Sequence, residues 1–584
     1  ALSFGLGLSA YFLVAHRVLW SALRKLKTLR VFDEHLLMTL ATLGALYLGE
    51  YPEAIAVMLL YEIGQYLEER AVNQSRALIK RMLTLRPEKA RLLTAEGLKE
   101  LPLKEISVGD IIQVFPGERV PLDGRVVKGE SSVDTSSLTG EAMPVPVEIG
   151  SSVFGGFINI GGLLDLEVTH TEAQSTVSRI LGLIESASAR KSNTEKFITR
   201  FARWYTPLVV VSALLLLIIP LLLGGAFDIW LPRALIFLIV SCPCAFVIAI
   251  PLTYYIGIGA AARKGIIFKG SAFMDSLRSV STMVFDKTGT LTTGNLKVAE
   301  VLPEPGISTQ ELWETVFRCE YSSNHPLAKA IKQSATYPYE SANVISFKEY
   351  PGKGIAMNYA GDELLVGSAK LLTDLGFQFE IQGLEFTSIC AVKNNSFLGQ
   401  ISFSDEIKST MRNALSELRK LGIRHFSMLS GDKEVSAALT ANNLGLDSFH
   451  AGLLPEEKVS ELEHIMQTIP GNTVYVGDGL NDAPVLARAD IGIAMGEIGN
   501  AASIESADIV LLNDRPEQLV RAVKISQRTY NTVVQNVVLA LGIKIIVMIA
   551  GALGMGNLWE AVIADVGVTL LAVFNAMRLA SKSA

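Results

Sequence analysis

Cysteine is scarce: four residues in a chain of 584 cannot build a disulfide framework. Charge is scarce too, with Asp, Glu, Lys and Arg making up 19% of the chain against 49% apolar residues, where soluble domains usually carry about 25% charge. There is no basic surplus. The net charge of -6 argues against nucleic acid as a partner. Internal repeats and low-complexity tracts are absent, and so is a G-x-x-x-x-G-K-[ST] phosphate loop. These absences exclude a disordered or fibrous chain, and with a mean hydropathy of +0.36 they argue against a wholly soluble one. The length suits three or four domains of roughly 150 residues each.

The apolar residues are concentrated in runs. A membrane-spanning helix needs about 20 mostly apolar residues, and the uncharged runs Trp204–Phe227 and Ala234–Ala262 are long enough, with a short loop holding Asp228 and Arg233 between them. Between Arg528 and Arg578 the only charges are Lys544, Glu560 and Asp565, and the Gly551–Gly556 stretch with Asn557 divides that region into a second hairpin. Shorter runs at Ala1–Ala15, Leu36–Leu48 and Ala54–Tyr61 bring the predicted spans to seven. Arg17, Arg24, Lys25, Lys27 and Arg30 follow the first run with no acid among them, which places that side in the cytoplasm. The chain therefore reads as a multi-pass protein of the plasma (inner) membrane, in contact with the lipid bilayer, whose long polar insertions at 72–200 and 264–527 are cytoplasmic. An odd number of spans starting outside, with Ala1 in place of an initiator Met, predicts at least one further helix upstream.

The two insertions differ in pattern. Residues 100–170 alternate short β-rich runs with Gly/Pro turns such as Pro116-Gly117-Glu118, which predicts a small β domain. From 280 onward apolar runs alternate with helical stretches, the pattern of a parallel α/β sheet. Three predicted strands end in polar clusters: Ser281–Phe285 runs into Asp286-Lys287-Thr288-Gly289-Thr290, His425–Leu429 into Ser430-Gly431-Asp432, and Asn472–Val476 into Gly477-Asp478-Gly479-Leu480-Asn481-Asp482. Functional groups of such sheets gather beyond the carboxyl ends of the strands. One Asp-Gly is usually only a turn; three together suit phosphoryl transfer. Asp286 can act as a carboxylate nucleophile that forms an acyl phosphate. Asp478 and the Thr288 carbonyl offer hard oxygens to Mg²⁺, and Lys458 and the Ser430 hydroxyl can neutralise charge on the transferring oxygens.

Asp-Lys-Thr-Gly-Thr with a later Gly-Asp-Gly-Leu-Asn-Asp resembles the P-type ATPases, as does Thr139-Gly140-Glu141 in the β-rich insertion. The resemblance implies that Asp286 is the phosphorylated aspartate, flanked by Lys287 and Thr288, and that Glu141 positions the water that hydrolyses it. It implies Ser430 and Asp432 at the second strand end, where many relatives have Thr for Ser430, and Asn481 and Asp482 at the third, with Asp482 joining Asp478, Asp286 and Thr288 around Mg²⁺. ATP would be held by Glu320, His325 and the glycines Gly352 and Gly354, although a lone His-Pro is by itself an ordinary turn. The implied fold is a multi-domain membrane protein: an α-helical transmembrane bundle, a cytoplasmic β-rich actuator domain, an α/β (haloacid-dehalogenase-like) phosphorylation domain and an inserted α+β nucleotide-binding domain. The predicted boundaries are 1–71 for the first transmembrane helices, 72–200 for the actuator domain and 201–263 for a transmembrane hairpin. The phosphorylation domain takes 264–296 and 405–527, the nucleotide-binding domain 297–404, and a C-terminal transmembrane hairpin 528–584.

Cys242-Pro243-Cys244 lies inside the second uncharged run. Proline removes an amide donor and clashes one turn back, so a break is predicted there; unwinding lets both sulfurs face one cavity. Thiolates select soft or borderline cations; two buried cysteines acting as small hydrophobes are the bland alternative. Lys544 and Asp565 each lie about ten residues from the hairpin tip, roughly 15 Å deep, near the middle of a ~30 Å hydrocarbon core. Ionisable residues there are costly and usually functional. A carboxylate with two thiolates suits a divalent ion such as Zn²⁺, with Lys544 as a counter-ion to Asp565; a structural ion pair is the alternative. Cys-Pro-Cys with Lys544 and Asp565-Val566-Gly567 resembles the Zn²⁺/Cd²⁺/Pb²⁺ pumps of the heavy-metal P-type ATPases. The resemblance covers almost the whole chain and lacks the first of eight helices and an N-terminal Cys-x-x-Cys module. Glu62 reads equally as an aid to metal exit or as an interfacial acid. Cys319 and Cys390 fall in the soluble lobe and read as inert. The function implied is ATP-driven export of soft divalent metal by a monomer through an aspartyl phosphate. A Cu⁺ pump of the same architecture, a membrane metal sensor with a nucleotide-binding domain and a haloacid-dehalogenase-type phosphatase are the competing readings.

Overall fold

The computed structural model describes residues 2–26, 34–47, 49–83, 87, 89–94, 97–135, 144–176, 178, 192–240, 244–323, 325–350, 353–377, 387–478, 482–496 and 505–582. The chain divides into two compact units, residues 1–278 with 521–584, and residues 279–520.

The first unit holds the long helices: Leu2–Leu26, Glu34–Tyr47, Tyr51–Leu83, Asn193–Leu222, Phe227–Val240, Cys244–Ala262 and Leu558–Lys582, with most of Glu517–Ala552. Among the described residues two helical stretches, Glu517–Ala552 and Leu558–Leu579, are long and apolar enough to cross a membrane. Small and medium apolar side chains fill the bundle interior, among them Ala15, Ala41, Met58, Ile236, Ile239 and Val562. Leu13, Leu222, Ile546, Ile549 and Phe574 are exposed on the outside, a distribution suited to lipid, whose tails are as apolar as these side chains. Close approach is made possible by glycine: a Cβ on Gly64 would lie 2.5 Å from a Val566 methyl.

Several helices start or stop elsewhere than the uncharged runs suggest. Leu2–Leu26, Tyr51–Leu83 and Glu517–Ala552 extend far beyond the apolar stretches, because Glu, Gln, Arg and Lys favour helix as well as Leu does and hydropathy marks only the greasy part. Asn193–Leu222 stops short of Phe227. The turn at Gly224, with φ +88°, ends it, and Phe227 opens the next helix, which carries Asp228 and Arg233. Arg233 stacks on Trp230 there, 4.6 Å from the ring centre.

The β-rich part of this unit is a six-stranded sheet in the order Gly97–Pro102, Lys89–Thr94, Ile111–Val114, Leu164–Val168, Gly124–Lys128, Ser152–Val153, with a three-stranded sheet beside it in sequence. It starts earlier than residue 100 because the opening hairpin is charged and largely exposed, which hides it from a hydrophobic pattern. Asp123 is buried and accepts from Gly155 N (2.8 Å), Thr176 N (2.7 Å) and Thr176 Oγ1 (2.8 Å).

The second unit contains a parallel sheet in the order Ile509–Leu511, Ile491–Met495, Asn472–Gly477, Val280–Asp286, His425–Leu429, Ser448–His450. Its strands are apolar because both faces are covered. An antiparallel six-stranded sheet is inserted between Val280–Asp286 and His425–Leu429. Its two linking strands, Thr292–Pro303 and Ser396–Ile407, pair with each other. Helices Thr309–Glu320 and Pro326–Ser334 pack on this sheet through Leu312, Val316, Phe317 and Ile331.

Asp275 ties four parts of the first unit together. It accepts from Tyr254 Oη (3.0 Å), Thr194 Oγ1 (3.0 Å) and Arg278 Nε (3.0 Å), and Arg278 lies over the Tyr530 ring at 3.6 Å. Removing a shared buried acceptor costs about 2–4 kcal/mol. Asp275→Ala is therefore expected to lower the thermal unfolding midpoint of the detergent-solubilised protein by several degrees; an unchanged midpoint would contradict this junction.

Candidate functional site

Parallel pairing sets the carboxyl ends of three strands side by side: Asp286 is in register with Leu429, and Phe285 with Val476. The groups that follow each strand are thereby gathered at one edge. Lys458, in the first turn of helix Pro455–Thr468, donates to Asp286 Oδ1 (2.5 Å) and Asp482 Oδ1 (3.0 Å). All three groups are largely buried. Burial pushes the Asp286 carboxyl up to about 7, with Asp482 and Asp478 adding to the rise and Lys458 opposing it. Although burial opposes it, the pull of Asp286 and Asp482 holds Lys458 above the ordinary lysine value.

The loop after Asp286 turns at Gly289, with φ +75°. A Cβ there would lie 3.3 Å from Asp478 Oδ2, so only glycine lets the loop close onto that carboxylate. Thr288 is exposed at the rim. Lys287 points the other way, buried, and pairs with Asp432 and Ser436. Ser430 is buried, and its Oγ accepts from Asp432 N at 3.1 Å. The three carboxylates Asp286, Asp478 and Asp482 are hard oxygen donors with more negative charge than Lys458 alone balances. That donor set fits Mg²⁺.

Three residues around this loop escaped sequence reasoning. Thr292 Oγ1 lies within hydrogen-bond reach of Lys287 O (2.9 Å) and of Asp405, whose carboxyl burial pushes up. Lys408 donates to Gly289 O (2.8 Å) and pairs with Asp514 (2.5 Å). The only available signal was a pair of opposite charges, Asp405 and Lys408, where the chain leaves the inserted sheet.

In the inserted lobe Glu320 is buried at the end of helix Thr309–Glu320, and burial pushes its carboxyl up against a hydrogen bond from Ser323 and the charge of Lys332. His325 is exposed and caps helix Pro326–Ser334, Leu327 N donating to its Nδ1 at 3.3 Å. The neutral ring then carries its proton on Nε2. Gly354 has a packing role: its Cβ would fall 2.4 Å from Val366 O. Cys319 and Cys390 are buried and free, and burial raises both thiols, Cys390 to about 11.

In the helical bundle Lys544 is 3% exposed. It pairs with Asp565, and its Nζ also donates to Val240 O at 3.1 Å. Val240 belongs to helix Phe227–Val240 and lies two residues before Cys242 in the sequence. The next helix begins at Cys244. Glu62 is half-buried in helix Tyr51–Leu83. Thr139, Gly140, Glu141, Cys242, Gly352 and Asn481 lie outside the described residues, as does the side chain of Cys244.

A P-type ATPase actuator domain matches residues 84–185, and a haloacid dehalogenase-like hydrolase matches residues 280–490. The "Cadmium, zinc and cobalt-transporting ATPase" of Bacillus subtilis (strain 168) is 43% identical over 582 residues, 99% of this chain and 83% of that protein. The chain is a heavy-metal P-type ATPase. The "Zinc-transporting ATPase" of Synechocystis sp. (strain ATCC 27184 / PCC 6803 / Kazusa) is 43% identical over 580 residues, 99% of this chain and 80% of that one. The crystal structure of a zinc-transporting PIB-type ATPase in an E2.Pi state superposes with a TM-score of 0.64 at 36% identity, covering 99% of this chain and 95% of that one. As a P-type ATPase the chain is a membrane protein, and its haloacid-dehalogenase-like domain accords with an aspartyl-phosphate mechanism.

Removing one preorganised donor aimed at developing charge typically costs ~10²–10³-fold in rate. Lys458→Met in this ATPase is expected to slow phosphoenzyme formation from ATP by about 10²-fold or more in folded protein. A wild-type rate would remove Lys458 from the site.

Proposed function

We propose that this heavy-metal P-type ATPase uses ATP to export Zn²⁺, Cd²⁺ or Pb²⁺ from the cytoplasm, as a multi-pass monomer of the plasma (inner) membrane with its soluble domains cytoplasmic. One observation carries the metal reading: Lys544 bridges Asp565 and the Val240 carbonyl, two residues before Cys242-Pro243-Cys244 in the sequence. An ion pair buried in a bundle is weak evidence for stability, but a carboxylate together with the two thiolates would make a mixed S/O site for a borderline divalent cation.

Phosphoryl transfer runs through Asp286. A carboxylate oxygen of Asp286 attacks the γ-phosphorus of ATP, a bond forms from that oxygen to phosphorus, and the bond to the β–γ bridging oxygen breaks, releasing ADP. Before attack Lys458 opposes the rise that burial imposes on the Asp286 carboxyl and so favours its ionised form; during it the ammonium, the Thr288 and Ser430 hydroxyls and the Lys287–Asp432 pair fix the charge and geometry of the transferring group. Asp478, Asp482 and the Thr288 carbonyl would hold Mg²⁺, which would supply the charge neutralisation that a triphosphate needs beside three carboxylates. Glu320, His325 and the Gly352–Gly354 turn hold the nucleotide, and Glu141, by family resemblance, orients the water that cleaves the acyl phosphate. In the bundle Asp565 and the two cysteines ligate the metal, and Lys544 neutralises Asp565 once the metal has left.

The direct test is ATP-dependent uptake of Zn²⁺ by inside-out vesicles carrying the protein, with bound metal per folded protein measured in two variants. Asp565→Ala is expected to lose both uptake and binding. Lys544→Ala is expected to retain bound metal and to turn over slowly. Wild-type binding in both variants, with equal loss of thermal stability, would reduce the pair to a structural tie.

A further inference from the structure

In the inserted lobe the Tyr321–Ser323 turn joins helix Thr309–Glu320 to the His-Pro start of the next helix. Ser323 sits between the two proposed nucleotide contacts: it hydrogen-bonds to Glu320 with its side chain, and its Oγ accepts from His325 N at 3.2 Å. The turn is held from two sides. Tyr321 stacks on Tyr339, ring centres 4.0 Å apart and tilted 20°, and the Ser322 and Tyr339 hydroxyls are 3.1 Å apart. From the other side Lys332, one helical stretch later, donates to Tyr321 O (2.9 Å) and Ser323 O (2.9 Å).

Those two carbonyls explain the need for a lysine. Tyr321 is the C-cap of its helix, so its carbonyl has no helical donor and carries the negative end of the helix dipole. An ammonium offers three donors that can satisfy two carbonyls at once, and charge-assisted bonds of this kind are roughly twice as strong as neutral ones. Without them the turn would exchange among conformations, and the Glu320 and His325 side chains would lose their common frame, because Ser323 is the group that links them.

We infer that Lys332 is a positioning residue of the ATP site, which locks the Tyr321–Ser323 turn so that Ser323 presents Glu320 and His325 together to the nucleotide. The inference rests on the reading of Glu320 and His325 as nucleotide contacts. It does not put Lys332 itself on the ligand.

The separating experiment compares two routes to the same phosphoenzyme in the full-length protein: labelling from ATP, which uses the inserted lobe, and labelling from inorganic phosphate, which uses only the Asp286 edge. Lys332→Met keeps the aliphatic stem and removes the donors. It is expected to raise the ATP concentration for half-maximal labelling at least about five-fold, to leave the maximal level intact and to leave labelling from phosphate unchanged. Lys332→Arg, which restores paired donors, is expected to recover most of the affinity. Lys332→Gln, with one amide donor group in place of the ammonium, is expected to fall between and serves if the Met variant does not fold. His325→Ala is the control for the underlying reading. If His325→Ala weakens ATP use and Lys332→Met and Lys332→Gln do not, the positioning role is wrong. If labelling from phosphate falls in parallel with labelling from ATP, Lys332 is merely structural, and the inference is equally overturned. If His325→Ala itself leaves ATP use unchanged, the nucleotide reading fails first and the inference falls with it.

Discussion

Taking a carboxylate out of water is costly unless a cation comes with it, and this chain does so where its two proposed chemistries are based. In the phosphorylation sheet Asp286 is buried at a strand end and meets Lys458. In the helical bundle Asp565 meets Lys544. Each lysine has a second acceptor, Asp482 in the first case and the Val240 carbonyl in the second. Each pair therefore remains anchored when its carboxylate is asked to do something else. A lysine bound only to the reacting group would lose its place when that group takes up phosphate or metal.

The surrounding architecture makes these pairings possible. Parallel strands deliver three polar clusters to one sheet edge, and Gly289 lets the loop after Asp286 close on Asp478. Around that loop Thr292, Asp405 and Lys408 hold its backbone from the side where the inserted lobe begins and ends. The strands that carry the lobe are thus the ones that steady the nucleophile's loop. In the bundle small residues such as Gly64 permit close helix contact, and Asp275 joins the start of one long helix to Tyr254 on another.

Much of this was legible because hydrophobic runs and motifs coincide. The strands Val280–Asp286, His425–Leu429 and Asn472–Gly477 are apolar runs that stop where a motif starts, so periodicity and chemistry mark the same boundary. The helices Tyr51–Leu83 and Glu517–Ala552 were legible only over their apolar parts, since polar helix formers leave no hydropathy signal. Asp405, Lys408 and Thr292 were illegible for another reason. They are distant in sequence and acquire meaning only when Thr292–Pro303 pairs with Ser396–Ile407. His325 shows how far a motif can be read: the sequence marks it for nucleotide, while the fold also employs its Nδ1 as a helix cap, leaving Nε2–H for a ligand.

The proposed ATP-driven export requires that a soft divalent metal bound in the bundle license phosphorylation of Asp286. The most direct measurement is acid-stable labelling of the purified protein by radiolabelled ATP, with and without Zn²⁺ and in Asp286→Asn. The account predicts a hydroxylamine-labile label that requires the metal and is absent from the variant, because an amide cannot serve as the nucleophile. Labelling that ignores the metal, or that survives in Asp286→Asn, would contradict it.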